Sequence, residues 1–133
     1  MEATSPEDYG QHVTVLVVED EEVSRRALVQ ILRINGYPTQ AVASAEGALA
    51  KIERGLEPEV ALVDLDLPGM SGAELIEALR ERDPPIHSIL VTAADEDRVQ
   101  QIMRGQSVDH IRKPIDLGEL LAAIAIAAEP RPQ

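Results

Sequence analysis

The feature that most constrains the fold of this chain is a regular alternation between short apolar runs and longer amphipathic segments. Five runs rich in Val, Ile, Leu and Ala recur, at residues 13–18, 39–43, 60–63, 86–91 and 108–111. They are mostly continuous apolar stretches, which is typical of strands buried on both faces. The pattern predicts parallel strands that are covered by helices on both sides.

A helical segment follows each apolar run, and each has start or stop signals in the sequence. The first predicted helix covers 24–34 and ends at Asn35-Gly36, and the second extends from the N-cap Ser44 to Gly55. The third begins with a capping box from Ser71 to Glu74 and ends before Pro84, and the fourth extends from the cap Asp95 to Gly105. The fifth begins with a capping box from Asp116 to Glu119 and continues over 120–128. The order βαβαβαβαβα predicts an α/β fold, a doubly wound five-stranded parallel sheet with five helices and right-handed crossovers.

Polar residues follow four of the five predicted strands. Glu19-Asp20 end the first strand, Asp64 the third, Thr92 the fourth and Lys113 the fifth. Each of these residues has an ordinary structural explanation when it is taken alone, such as a charge that favours a helix N-terminus. In an open parallel sheet, however, ligands bind beyond the carboxyl ends of the strands. The joint placement therefore predicts a functional site at this edge.

The chemistry of these residue types narrows the kind of site. Converging carboxylates repel one another unless a hard divalent cation bridges them, and Mg²⁺ prefers oxygen ligands and phosphoryl groups. A carboxylate can also attack phosphorus to form an acyl phosphate. The charge on the phosphoryl oxygens then needs a cation and a fixed donor, which Lys113 and Thr92 can supply.

Four motifs stand in order on these elements and together carry a family resemblance: VLVVEDEE, LVDLDLPGMSG, ILVTA and IRKP. Over residues 13–128 the chain resembles the response-regulator receiver domains of two-component signalling. The resemblance implies a flavodoxin-like sheet of strand order 2-1-3-4-5 and phosphoryl transfer from a sensor histidine kinase or phosphotransfer protein. It also implies Mg-dependent self-phosphorylation from a phosphodonor, followed by autodephosphorylation.

The resemblance assigns roles at the metal and phosphoryl site. Asp64, four residues before Pro68, matches the phosphoacceptor. Asp20 matches the main carboxylate for Mg²⁺ (or Mn²⁺), and Glu19 is the adjacent acidic position. Asp64 and the backbone carbonyl of Asp66 complete the implied ligand set.

The resemblance also assigns a switch. Thr92 matches the hydroxyl that moves to the phosphoryl oxygen, and Lys113 matches the lysine that pairs with it. His110 stands three residues before Lys113, where receivers often carry Tyr or Phe, and we expect it to fill that space rather than to titrate. The unusual stretch 105–109 predicts a fourth helix that ends early or is irregular. Phosphorylation is expected to shift the fourth-helix, fifth-strand and fifth-helix face, through which a homodimer can form.

Two other functions remain open from the residues alone. Val63-Asp64-Leu65-Asp66 also fits the Asp-x-Asp motif of haloacid-dehalogenase-like phosphatases, although that motif leaves Pro68 and the Glu19-Asp20 pair unexplained. The second alternative is a receiver-like interaction module that is not phosphorylated. The full set of strand-end residues favours the phosphorylated receiver over both.

Composition limits the partners. The formal net charge of −12 leaves no basic face for nucleic acid, so direct binding is not expected. No apolar run approaches a membrane span, and the absence of cysteine fits a cytoplasmic location. We expect residues 1–12 to form a flexible N-terminal arm and 129–133 a tail or the start of a linker, so the chain could be a stand-alone receiver or part of a longer regulator.

Overall fold

A computed structural model describes residues 13–129 of the chain. The predicted arm over residues 1–12 lies outside the described residues, as does the predicted tail from residue 130 onward. None of the helices in the described part is long and apolar enough to cross a membrane.

The described residues form the predicted alternation of five strands and five helices. In chain order these are β1 Val15–Val18, α1 Glu22–Ile34, β2 Thr39–Val42, α2 Ala45–Glu53, β3 Val60–Asp64, α3 Gly72–Arg80, β4 His87–Thr92, α4 Glu96–Ile102, β5 Asp109–Arg112 and α5 Leu117–Ala127. All strand pairs are parallel, and the sheet order is β2-β1-β3-β4-β5. The predicted fold class and strand order are confirmed.

The core consists of two apolar layers, one on each face of the sheet. Leu16 and Val18 of β1 point into the layer that α2, α3 and α4 cover, whereas Val15 and Val17 point into the layer under α1 and α5. The central strand β3 is buried along its whole length. Burial on both faces explains why the apolar runs in the sequence are continuous rather than alternating.

The start of α1 differs from the prediction. The helix begins at Glu22 rather than at residue 24, because the Glu21 carboxylate acts as the N-cap and accepts hydrogen bonds from the backbone N–H groups of Val23 and Ser24 at 3.2 and 2.7 Å. Glu is not among the preferred N-cap residues, so the usual cap signal is absent here. The predicted caps at Ser44, Ser71, Asp95 and Asp116 are confirmed.

Strand ends differ from the predicted bounds by one or two residues, because pairing with the neighbouring strand decides where a strand begins. The ladder between β4 and β5, for example, starts with the pair Ile89 and Asp109, one residue later than predicted. The helix α4 ends at Ile102, as the unusual sequence after it suggested. Arg104 and Gly105 then take left-handed backbone conformations, with φ of 55° and 75°.

Candidate functional site

Most of the predicted site residues lie at the carboxyl edge of the sheet, whereas His110 lies within β5, two residues before its end. Asp64 is the last residue of β3 and Thr92 the last of β4, while Glu19 follows β1 and Lys113 follows β5. The strands β1, β3, β4 and β5 are consecutive neighbours in the sheet. Four segments that are distant in sequence therefore bring their polar side chains to one place.

Three carboxylates converge at the centre of this edge. Glu19, Asp20 and Asp64 each offer an oxygen, and these oxygens lie within 4.8 Å of one another. Glu19 and Asp64 are buried, with 4% and 7% of their surface exposed, while Asp20 is exposed to solvent. The Glu19 Oε2 atom is buried, and no donor among the described residues reaches it. A divalent cation with some retained water suits this donor set, since it would neutralise the clustered negative charge.

Lys113 supplies the positive charge of the site. Its Nζ lies 3.3 Å from Glu19 Oε1 and 3.4 Å from Asp64 Oδ2. Its backbone N–H donates to the carbonyl of Thr92 at 2.8 Å, which fixes the lysine beside the end of β4. Partial burial opposes its charge, but the facing carboxylates of Asp64 and Glu19 prevail and raise the pKa of Lys113.

The two buried carboxyl groups have opposite ionisation tendencies. Burial is the largest cause that raises the pKa of Glu19, to about 7, and the neighbouring Asp64 raises it further through a shared hydrogen bond and like charge. Burial also opposes ionisation of Asp64, but hydrogen bonds from Glu19 and the Asp66 backbone N–H, together with Lys113, bring its pKa below the usual range. Without a metal ion, Glu19 is therefore the carboxyl group of the pair that takes up a proton more readily, while Asp64 keeps its negative charge near neutral pH.

The remaining predicted residues, Asp66, Thr92 and His110, differ in their burial and in their contacts. The Asp66 backbone N–H donates to Asp64 Oδ1 at 3.1 Å, and the Asp66 side chain is exposed. Thr92 is fully buried, and its hydroxyl oxygen accepts a hydrogen bond from the backbone N–H of Ala94 at 3.0 Å. The Thr92 hydroxyl therefore contacts the loop that follows β4. His110 is half-buried on β5, where it pairs with Leu90.

Two contacts at the site are not foreseen from the sequence. The Arg25 guanidinium donates to the backbone carbonyls of Glu19 and Asp20, at 3.0 and 3.3 Å, and so holds the acidic turn after β1 against α1. Gly72 packs directly on the end of β3, because a Cβ at this position would overlap the backbone oxygen of Asp64. The only signal for either contact is the residue type, which does not specify a partner.

A doubly wound α/β domain with a buried acidic pair, an exposed aspartate and a lysine at its carboxyl edge places these groups where open parallel sheets bind their ligands. The model of the response regulator receiver domain family matches residues 15–125. The chain belongs to this family, and it is a receiver domain of a two-component response regulator. The predicted family and the predicted general function are confirmed.

Individual relatives agree with this assignment. The sensory transduction protein RegX3 of Mycolicibacterium smegmatis is 39% identical over 113 residues, which cover 84% of this chain and 48% of that protein. A cyclic di-GMP phosphodiesterase of Thermotoga maritima is 37% identical over 110 residues, which cover 82% of this chain and 29% of that protein. The chain thus spans less than half the length of either relative.

Solved structures agree on the fold. A CheY-like response regulator receiver domain protein from Methanospirillum hungatei superposes with a TM-score of 0.77 at 31% identity, covering 87% of this chain and 93% of that one. The Francisella response regulator 1452 receiver domain gives a TM-score of 0.78 at 23% identity, covering 88% and 97%. The second likeness concerns the fold alone.

Proposed function

We propose that this receiver domain, extending over residues 13–128, accepts a phosphoryl group on Asp64 from the phosphohistidine of a sensor histidine kinase or phosphotransfer protein. The observation that carries the proposal is the position of Lys113 Nζ, 3.3 Å from Glu19 and 3.4 Å from Asp64, beside three carboxylates that converge on one point. This arrangement combines an ionised nucleophile with positive charge for the phosphoryl oxygens.

The covalent step uses the anionic carboxylate of Asp64. One of its oxygens attacks phosphorus, and the bond between phosphorus and the histidine nitrogen breaks. The imidazole, protonated on its other ring nitrogen, leaves as a neutral group with the electron pair of that bond. The product is an acyl phosphate on Asp64. The lowered pKa of Asp64 favours this step, because the carboxyl group stays ionised at neutral pH despite its burial.

Asp20, Asp64 and the backbone carbonyl of Asp66 would hold Mg²⁺ or Mn²⁺, with Glu19 as the adjacent acidic group. When bound, the cation supplies positive charge against the phosphoryl oxygens. Lys113 supplies a second, fixed positive charge on the Asp64 side of the site. In dephosphorylation, water attacks phosphorus, the bond between phosphorus and the Asp64 oxygen breaks, the Asp64 carboxylate is regenerated, and inorganic phosphate leaves. The Asp66 side chain is exposed and two residues from Asp64, so we expect it to tune the lifetime of the acyl phosphate.

The phosphoryl group is expected to bias a two-state switch. Thr92 would turn its hydroxyl from the Ala94 N–H to a phosphoryl oxygen, and Lys113 would pair with another. His110, half-buried on β5, would fill the space that Thr92 vacates. The surface formed by α4, β5 and α5 would then bind a partner or a second copy. Ile126 of α5, 66% exposed, offers apolar area for that contact.

The test is labelling with radioactive acetyl phosphate. We expect the wild-type protein to take label in Mg²⁺ and to lose the reaction in EDTA. Asp64→Asn should abolish the label, because an amide cannot serve as the nucleophile, while Asp97→Asn on the exposed side of α4 should leave it unchanged. Undiminished labelling of Asp64→Asn would refute the assignment of the phosphoacceptor.

The same purified protein can be used to distinguish the phosphorylated receiver from the two alternative functions. Steady turnover of a phosphomonoester by the purified protein would instead favour the haloacid-dehalogenase-like function. A wild-type protein that takes no label, and whose amide spectrum does not respond to Mg²⁺ with fluoroberyllate, would be a receiver-like interaction module. Sedimentation of the labelled protein would show whether phosphorylation produces a dimer.

A further inference from the structure

A carboxylate on α2 contacts the loop that joins β3 to α3. Glu46 Oε2 accepts a hydrogen bond from the backbone N–H of Met70 at 3.1 Å, across 24 residues of sequence. Within residues 13–129, the other hydrogen bonds of residues 66–71 stay within the loop, with Asp64, or with α3. The contact with Glu46 is therefore the hydrogen bond that joins the far half of this described loop to a different part of the fold, in addition to the apolar packing of Leu67 and Met70 on the core.

The loop is shaped to receive this carboxylate. Gly69 has a φ of +73°, a left-handed conformation that glycine adopts without a steric penalty. A Cβ at this position would lie 2.6 Å from Glu46 Oε2, which is too close for a real side chain. The absence of a side chain at Gly69 thus permits both the turn of the backbone and the approach of Glu46 to the next amide.

The charge of Glu46 strengthens the contact. The hydrogen bond from Met70 is the largest cause that holds the pKa of Glu46 below its usual range. Glu46 also lies in the first turn of α2, where the helix dipole favours a negative charge. A hydrogen bond to an ionised acceptor is stronger than one between neutral groups. The contact can therefore order a backbone segment even though Glu46 is exposed.

The near half of the same loop enters the site. The Asp66 N–H donates to Asp64 Oδ1 at 3.1 Å, and the Gly72 N–H closes the loop by donating to the carbonyl of Leu65 at 3.3 Å. Because the loop is short and closed, we expect a displacement of Met70 to move Asp66 as well. We infer that Glu46 is a positioning residue that orders the β3–α3 loop and thereby sets the affinity of the site for its divalent cation. This inference rests on the proposed function, in which the Asp66 carbonyl is a metal ligand.

The experiment compares Glu46→Ala, Glu46→Gln and wild type with Glu53→Ala, which removes an exposed acidic residue from the other end of α2. Calorimetric Mg²⁺ titration gives the Kd, and amide hydrogen exchange of Met70 is followed in the metal-free protein. We expect Glu46→Ala to raise the Kd about tenfold, within the range seen when groups that orient metal ligands are removed. Met70 exchange should accelerate in the same variant. Glu46→Gln, which keeps an acceptor oxygen, should show a smaller rise, and Glu53→Ala should match wild type.

Two results would overturn the inference. One is a wild-type Mg²⁺ Kd in folded Glu46→Ala, and the other is an equal rise in Glu53→Ala, which would reveal a general effect of charge. If Glu46→Ala does not fold, the Mg²⁺ Kd of Glu46→Gln is compared with those of wild type and Glu53→Ala, and the same two results would overturn the inference. These results can be distinguished from a failure of the proposed function. If the proposed function is wrong, the wild-type protein itself neither binds Mg²⁺ nor takes label on Asp64.

Discussion

At the scale of single residues, the site brings together acidic side chains that do not stabilise the metal-free fold. Glu19 is buried beside Asp64, and one oxygen of Glu19 has no donor among the described residues. Burying a carboxylate next to another costs free energy unless a cation compensates both. Lys113 compensates in part from one side, and the raised pKa of Glu19 shows that the compensation is incomplete. Such unfavourable charge placement is typical of sites whose ligand completes them.

Glu19→Gln should therefore stabilise the metal-free protein at alkaline pH. The pKa of Glu19 is about 7 in the folded state against 4.5 for the ordinary group, so its protonated form favours folding fully below pH 4.5. That contribution is lost as the pH rises from 4.5 through 7, because ionisation is then cheaper in the unfolded chain. Because glutamine does not ionise, the free energy of unfolding of Glu19→Gln should exceed that of wild type by on the order of 2 kcal/mol at pH 8. Urea unfolding in EDTA at pH 5 and pH 8 measures this, and a stability difference that does not grow with pH would contradict it.

At the scale of elements, the sequence predicted all five strands, all five helices and the edge where the site lies. These features follow from local patterns: continuous apolar runs, side-chain caps such as Ser71, and the residue at the end of each strand. The start of α1 was missed because Glu21 caps it in place of a preferred residue. Two further features could not be predicted from the sequence. The direction of the Thr92 hydroxyl depends on the backbone geometry of its loop, and the contact of Glu46 with Met70 depends on a partner distant in sequence.

The junction of β3 and α3 gives a prediction at this scale. Gly72 is the first residue of α3, where alanine would ordinarily favour the helix by up to about 1 kcal/mol. Here a Cβ would overlap the Asp64 carbonyl and lie 2.9 Å from Leu65 Cα. Gly72→Ala should therefore destabilise the protein by about 1–3 kcal/mol. Urea unfolding is the measurement.

Gly118→Ala is the matched control, because Gly118 also lies in the first turn of a helix, in α5. The nearest atom to a Cβ there is Asp116 Oδ2 at 3.4 Å, so the added methyl group fits. This variant should be neutral or more stable than wild type by up to about 1 kcal/mol. Equal effects of the two substitutions would show that the close packing of Gly72 on β3 is unimportant.

At the scale of the whole molecule, folding and the site are linked through the sheet. The same four strands that separate the two apolar layers also present the site residues at their ends. The unfolded chain does not hold Glu19, Asp20 and Asp64 together, so a cation bound at this cluster would favour the folded state. The formal charge of −12 adds a general repulsion that any salt will screen. Site binding and screening must therefore be separated in an experiment.

Mg²⁺ should stabilise the protein well beyond an equal ionic strength of NaCl. At a free Mg²⁺ concentration of about 100 times the Kd, linkage predicts about 2.7 kcal/mol of additional unfolding free energy. Asp20→Ala should lose most of this increment, because Asp20 is the exposed carboxylate of the trio. In EDTA the same variant should be at least as stable as wild type, since it removes a negative charge that repels Asp64. Asp97→Ala lowers the net negative charge equally without touching the trio and should keep the full Mg²⁺ increment. Thermal or urea unfolding of the three proteins in EDTA, NaCl and MgCl₂ gives the comparison. If Asp20→Ala and Asp97→Ala responded alike to Mg²⁺, screening of the whole surface would explain the stabilisation and the proposed metal site would be wrong.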